Sequence, residues 1–434
     1  MKKIQQILLT LLLFCFTFGF ATNVVAAEET NNNFKINAKG AIAVDFKTGK
    51  ILYNQAGDTP MGIASITKII SLYLVEEAVK EKKLNWEDTV AISDYAANLS
   101  VTPDLSNVPL HKENTYTVKE LFDSAIIQSA NASIVALAEK IAGSEAKFVD
   151  QMRVQLKDWG IEDAKVYNAS GLNNQYLGDN RYPGSAADAE NLLSPRDVAI
   201  VASHLIKDYP DVLKVSATTT QMFGANTQSP VEMVNWNWML PGFINAKEGV
   251  DGLKTGTTEL AGACFVGTIQ RDGQRIITVV LNATDHKNNP SARFVETGKL
   301  MDYCYDHWQQ KEVLKAGSQL PKQKNIAITD GKQLKTTISL KDSVTLWVRD
   351  DLTEELIITP KFDTKKVSDG AVKAPVEKGD VIGKATVSLK GDDLGYLEKA
   401  PSHEVSIVID KAVEKANIFV IFGRKIENFF QSIF

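Results

Sequence analysis

The chain has 434 residues, with 48 Lys+Arg against 53 Asp+Glu and a formal net charge of −5. Hydrophobic residues make up 44 % and charged residues 23 %, a globular balance that excludes disorder as the main state. The sign of the charge argues against a nucleic-acid partner, three cysteines make no disulfide framework, and the length predicts two or three domains.

Lys2 and Lys3 open the chain, residues 7–21 are apolar, and Val24, Val25, Ala26 and Ala27 precede Glu28. A basic start, a short apolar run and small residues predict a secretory leader over residues 1–27. Thr10, Thr17 and Gly19 interrupt the run, which is short for a membrane span. Removing the leader takes two lysines and no acids, leaving 407 residues at net −7. Cys264 and Cys304 then remain, read as two buried thiols.

Residues 39–55 predict a hairpin, with a strand at 41–46, a turn at Lys47-Thr48-Gly49-Lys50 and a return through Ile51, Leu52 and Tyr53. Apolar spacing predicts helices over 65–83, 118–141, 143–157 and 194–207. Ser194 and Pro195 suit the cap and first turn of the last helix. Strands return near 248–256, 263–270 and 275–282, with Asp272-Gly273 as a strong hairpin turn. Strands thus open and close residues 35–312 and helices fill the middle, so one α/β domain is expected, its sheet assembled from both ends. Residues 320–410 carry short β-rich runs separated by Asp, Lys and Gly turns, which predict a small all-β domain without a catalytic constellation.

Residues 411–434 predict an amphipathic helix. Ile418, Phe419, Phe422, Ile426, Phe429, Phe430 and Ile433 share one face, and Asn417, Arg424, Lys425, Asn428 and Gln431 the other. Its longest apolar run, residues 418–422, is too short to cross a bilayer. Such a helix can lie along one, with Arg424 and Lys425 at the headgroups. Docking on the protein's own core is the alternative.

The five histidines show no metal-ligand spacing, and no metal is expected. Ser65-Ile66-Thr67-Lys68 at a helix start places a hydroxyl and an amine one turn apart on one face. Burial or a second cation would bring the lysine towards neutrality as a base. Ser144-Glu145-Ala146-Lys147 repeats the spacing but reads as a helix cap. Ser129-Ala130-Asn131 is the one Ser-x-Asn in the chain and lies in apolar helical sequence. Lys254-Thr255-Gly256-Thr257 lies on a predicted strand and suits a carboxylate-bearing ligand; Lys47-Thr48-Gly49 reads as an exposed turn.

In this order the three elements resemble those of the penicillin-recognising serine enzymes. Within them the chain looks like a low-molecular-mass D-alanyl-D-alanine carboxypeptidase over nearly its whole mature length. Asn168-Ala169-Ser170-Gly171-Leu172 and the Ser-Pro-Arg-Asp start at 194 add to the likeness, although residues 173–193 between them are longer than it implies. The resemblance implies a β-lactamase/transpeptidase-like α/β fold, an antiparallel sheet with flanking helices and a helical subdomain. The all-β domain and the amphipathic helix follow it.

The resemblance further implies that Ser65 attacks the bond between the last two D-alanines of a peptidoglycan stem peptide, with Lys68 taking its proton. Ser129 would protonate the leaving D-alanine and Asn131 hold the substrate amide and Lys68. Lys254, Thr255 and Thr257 would bind the terminal carboxylate, with Gly256 between them, and the backbone N–H groups of Ser65 and Thr257 the oxyanion. No cofactor is implied; β-lactams are implied as inhibitors. The place of action would be the outer face of the cytoplasmic membrane, with residues 411–434 on its surface. Arg293, at a helix start, is a lesser carboxylate candidate and reads as a surface residue.

The alternatives are a β-lactamase or a DD-transpeptidase of the same fold, or a non-enzymatic wall-binding protein. For a β-lactamase, Glu190-Asn191-Leu192-Leu193-Ser194 falls one residue short of Glu-x-x-Leu-Asn, and Ala130 stands where that class has Asp.

Overall fold

A computed structural model describes residues 34–398 and 403–431. The predicted leader, residues 1–27, lies outside the described residues. Strands β1 (Ala38–Asp45), β2 (Ile51–Gln55), β3 (Val250–Thr258), β4 (Gly262–Arg271) and β5 (Gln274–Ala283) form one antiparallel sheet in the order β2-β1-β5-β4-β3. The first and last strands therefore pair, with Gly40 opposite Leu281 and Val44 opposite Ile277. Asp272 and Gly273 both have positive φ, 48° and 77°, as the two-residue turn between β4 and β5 requires. β3 is an edge strand, so one side of its backbone is open.

Alternate residues of the sheet face two cores. Ile42, Val44, Val266, Ile277, Val279 and Leu281 join the large helical core. Phe265 points to the other face and meets Phe294 of a helix over Ala292–His307 edge-on, ring centres 5.2 Å apart. Helix α1 (Lys68–Lys80) is buried at every residue from Lys68 to Val75, so helices surround it on all sides.

The helix expected over 118–141 is two helices, α2 (Val118–Ile127) and α3 (Asn131–Ala142). Ser129 between them has φ 58°, and Ala130 is extended. The apolar run continues across the break, which hides it from periodicity. The Asn131 N–H donates to Ser106 O at 3.0 Å instead of a helical carbonyl. The start expected at 65 is also different: Ala64–Thr67 is a 3₁₀ turn, and the α-helix begins at Lys68.

Beyond the helix at Ala292–His307 the chain is almost wholly β. A seven-stranded sheet and a two-stranded ribbon, Trp308–Leu314 with Val344–Arg349, enclose a second core that includes Ile338, Leu340, Val387, Val405 and Ile407. The segment after the strand Val381–Leu389 returns to the first domain. Ile51 N–H donates to Gly395 O, and Leu397 N–H to Gly49 O. Lys50, the last residue of the predicted turn, is fully buried there, with Nζ 2.6 Å from Asp392 Oδ1.

The final helix spans Ile418–Gln431. Its apolar side chains Ile418, Phe419, Phe422, Ile426 and Phe429 are exposed, so that face does not dock on the protein's own core. Arg424 donates to Gly331 O at 2.7 Å, which turns it towards the β-domain. Among the described residues no helix is long and apolar enough to cross a membrane.

Candidate active site

The turn that carries Ser65 is held from two sides by glycines. Ala64 has φ 47°, uncommon for a residue with a side chain. A Cβ on Gly171 would stand 1.9 Å from Ala64 O, and one on Gly256 2.6 Å from Ile63 O. No larger residue fits either place without moving the backbone of this turn. Thr67 is tied in turn by Asn191, whose Nδ2 donates to Thr67 Oγ1 and Asn168 O.

Lys68 is fully buried, and its Nζ has three oxygen neighbours. Ser65 Oγ is at 2.8 Å, Asn131 Oδ1 at 2.7 Å and Ser170 O at 2.9 Å. Asn131 is oriented by Nδ2, which donates to Ser106 O, so its Oδ1 faces the lysine. Burial drives the Lys68 pKa well below the ordinary lysine range, and the Lys254 charge pushes it the same way.

A second serine–lysine pair lies beside the first. Lys254 Nζ donates to Ser129 Oγ at 2.8 Å and to Thr255 O at 3.1 Å. The left-handed backbone at Ser129 belongs to the break between α2 and α3, so the break sets where this hydroxyl sits. Burial, and secondarily the Arg293 charge, lower the Lys254 pKa to about 7. The charges thus act in series behind burial, Arg293 lowering the proton affinity of Lys254 and Lys254 that of Lys68.

A cleft of about 420 Å³ opens above these lysines, and Ser65, Ser129, Thr255, Gly256 and Thr257 line it. Lys68, Asn131 and Lys254 lie beneath as buried groups. All eight sequence-predicted residues are therefore brought together. Arg293 is not the surface residue its helix-start position suggested. It lines the cleft, donates to Gly256 O at 2.8 Å and to Thr257 Oγ1 at 2.8 Å, and has a buried Nε without a hydrogen-bond partner. Trp236, Trp238 and Asp104 also line the cleft and were not foreseen. Trp236 and Trp238, two of the six tryptophans set one residue apart, were the available signal.

The two decoys resolve as structure. Ser144 Oγ accepts from Lys147 N as a helix cap, and Lys47-Thr48-Gly49 is the β1–β2 turn, Lys47 exposed. Glu190 is 4 % exposed and occupied, accepting from Thr258 Oγ1 at 2.6 Å and from Asn173 Nδ2 at 3.1 Å. Residues 173–193 thus fasten the nucleophile turn and the end of β3 through Asn191 and Glu190.

An antiparallel sheet joined to a helical subdomain, two serine–lysine pairs in one cleft and an appended β-domain define the penicillin-recognising class of serine hydrolase. Residues 24–285 match the D-alanyl-D-alanine carboxypeptidase family, and residues 308–415 match the family described as "Penicillin-binding protein 5, C-terminal domain". The chain belongs to the D-alanyl-D-alanine carboxypeptidase family of serine peptidases. The D-alanyl-D-alanine carboxypeptidase DacF of Bacillus subtilis is 27 % identical over 395 residues, 89 % of this chain and 91 % of that one. A peptidoglycan synthesis regulatory factor (PBP3) from Streptococcus pneumoniae is 41 % identical, with a TM-score of 0.68 over 87 % of this chain and 100 % of that one. Penicillin-binding protein D2 from Listeria monocytogenes, solved in an ampicillin-bound form, is 29 % identical, with a TM-score of 0.51 over 63 % of this chain and 99 % of that one.

Proposed function

We propose that this carboxypeptidase removes the terminal D-alanine of peptidoglycan stem peptides through an acyl-enzyme on Ser65, with Lys68 as its base. One observation carries the reading: the three partners of Lys68 Nζ. A neutral amine has two N–H groups and one lone pair. Asn131 Oδ1 and Ser170 O can only accept, so they take the two N–H groups. The lone pair then faces Ser65 Oγ, the one partner able to give a proton. Burial beside Lys254 supplies the neutral form.

The steps follow from that reading. Ser65 Oγ bonds to the carbonyl carbon between the two D-alanines, and its proton passes to Lys68. The oxyanion is held by the N–H groups of Ser65 and Thr257. The C–N bond breaks, and the leaving amine takes a proton from Ser129 Oγ, which Lys254 orients; the proton that Lys68 took from Ser65 replaces it, so Lys68 is neutral again. Water then attacks the Ser65 ester and gives a proton to the neutral Lys68, which passes it to Ser65 Oγ as the shortened peptide departs. Lys254, Thr255 and Thr257 receive the terminal carboxylate, and Arg293 joins them through its contact with Thr257. A β-lactam enters the same first step, but its amine stays tethered and cannot leave.

Mass spectrometry after incubation with benzylpenicillin is expected to place one adduct on Ser65 and none in Ser65→Ala. A pentapeptide ending in D-Ala-D-Ala is expected to release free D-alanine. An adduct on another residue would overturn the assignment. Rapid loss of the adduct would favour a β-lactamase, against which the hydrogen-bonded, sequestered Glu190 argues.

We also read residues 1–27 as an export leader and residues 411–434 as a membrane-surface anchor. The exposed face of Ile418, Phe419, Phe422, Ile426 and Phe429 supports the anchor. Lys425 is the exposed cation beside it, since Arg424 is taken by Gly331 O. Deleting 411–434 is expected to release the protein from the membrane fraction, and retention there would contradict the anchor.

A further inference from the structure

Residues 168–171 bring the Ser170 carbonyl to Lys68 Nζ, and the two residues before Ser170 are tied from outside the turn. Asn168 O accepts from Asn191 Nδ2, and Ala169 O accepts from Ser71 Oγ, on α1, at 2.7 Å. The Ala169 N–H donates to Glu145 Oε1 at 2.9 Å. Glu145 opens the helix over Glu145–Asp158, for which Ser144 is the cap. Capping accounts for Ser144 but not for a carboxyl beside it that is only 6 % exposed. Both Glu145 oxygens are taken by neutral donors, the second by the Tyr95 hydroxyl at 3.0 Å from Oε2. Burial raises the Glu145 pKa to about 7, against the pull of these two hydrogen bonds. Tyr95 lies on a helix over Asp94–Ser100, whose Leu99 O accepts from Asn107 Nδ2. Asn107 Oδ1 in turn accepts from the Ala132 N–H, and the neighbouring Ser106 O holds Asn131. One carboxyl group therefore stands behind both of the groups that only accept from Lys68, Ser170 O at close range and Asn131 Oδ1 at longer range.

We infer that Glu145 is a positioning residue for the base: by holding the Ala169 N–H, its carboxyl fixes where the Ser170 carbonyl meets Lys68 Nζ. This rests on the reading of Lys68 as the base and deepens it. The Ser170 carbonyl takes one of the two N–H groups of the neutral amine. Moving that carbonyl lets the amine turn, and its lone pair then leaves Ser65 Oγ. Glu145 acts by its reach and not by its charge. A protonated carboxyl keeps one carbonyl oxygen for the Ala169 N–H, and its hydroxyl can donate to the Tyr95 oxygen. The hold is therefore the same in both protonation states.

Two substitutions separate reach from charge. Glu145→Gln keeps the length and an acceptor oxygen and loses the charge. Glu145→Asp keeps the charge and is one methylene too short. Stopped-flow acylation of the full chain by benzylpenicillin gives the rate constant at saturation and the dissociation constant of the complex that precedes it. Glu145→Asp is expected to lower the rate constant about 10- to 100-fold, the scale of a misplacement of about 1 Å, with the dissociation constant unchanged. Glu145→Gln is expected to recover the rate to within about threefold of the unaltered chain, since the acceptor is kept. Circular dichroism and urea unfolding of each variant read the fold separately. A less stable Glu145→Asp with an unaltered rate constant would mean that Glu145 only fastens the fold, and a Glu145→Gln as slow as Glu145→Asp would mean that the charge acts; either result overturns the inference. Should Glu145→Asp fail to fold, Tyr95→Phe, which releases Oε2, is expected to lower the same rate constant about threefold or more, and an unchanged value would overturn the inference. An unaltered rate in Lys68→Ala would instead remove the reading beneath it.

Discussion

Lys50 and Lys68 are both fully buried, yet the regions around them treat the amine in opposite ways. Lys50 lies where the β-domain returns to the catalytic domain. Its Nζ is 2.6 Å from Asp392 Oδ1 and 3.1 Å from Gly395 O, and it stands 5.4 Å from the ring centres of Trp308 and Tyr396. Burial lowers its pKa, and Asp392 works against that shift. Lys68 has no such carboxylate; its electrostatic neighbour is the second cation, Lys254. A buried lysine with a counter-ion is a fastening, and one beside another cation is a base. The difference lies in the partner and not in burial itself.

The largest effect expected is on chemistry. Lys68→Ala should slow acylation by benzylpenicillin by about 10³-fold, within the range of general-base removal. Lys50→Ala should leave that rate within about twofold, because its site only docks the domains. Equal losses in the two variants would break the comparison. Stopped-flow measurement of acyl-enzyme formation reads both.

Stability should show the reverse order. Lys50→Ala leaves the Asp392 carboxylate, only 17 % exposed, without its cation, and should lower the unfolding free energy by about 3 kcal/mol. The exposed pair of Lys390 and Glu355 serves as the control, since Lys390→Ala should cost no more than about 1 kcal/mol. Urea denaturation compares them, and a loss in Lys50→Ala no larger than the control's would demote the dock to a surface contact.

A third effect concerns carboxylate binding. Arg293→Gln removes the charge beside Thr257 and should raise KM for a D-Ala-D-Ala peptide about tenfold, with kcat little altered, as for loss of one charged hydrogen bond. An unchanged KM would return Arg293 to a purely structural role, holding the carbonyls of Gly256 and Cys264.

These contrasts also mark what the sequence could reveal. The Ser65–Lys68 pair was legible because helical spacing is local, and the β4–β5 hairpin because Asp272-Gly273 forces its turn. Ser129 was legible as an element, but not as the left-handed residue that ends one helix and aims a hydroxyl at Lys254. The apolar run from Ala125 to Leu137 has the same period on both sides of the break. Lys50 looked like part of an exposed turn because its partner Asp392 lies 342 residues away. Arg293 was set aside for a related reason: its contacts with Gly256 and Thr257 come from the packing of its helix against the sheet, which a helix-start position does not encode.

The smallest effect is the most diagnostic, because it tests whether the two cations of the cleft act on each other. Lys68 accepts a proton only when neutral, so acylation should rise with pH through its lowered pKa and level off below the ordinary lysine range, about 10.4. Lys254 holds a carboxylate only when charged, so kcat/KM for peptides should fall above about 7, giving a bell. In Lys254→Gln the falling limb should disappear. The rising limb should move to higher pH, because the charge that pushed Lys68 down is gone. Burial is the larger cause and remains, so the limb should move only part of the way towards the ordinary lysine value. Acylation by benzylpenicillin across the pH range reads the rising limb directly. A limb that stays in place in Lys254→Gln would show that burial alone sets the base. The contrast between Lys50 and Lys68 would then reduce to the presence or absence of Asp392.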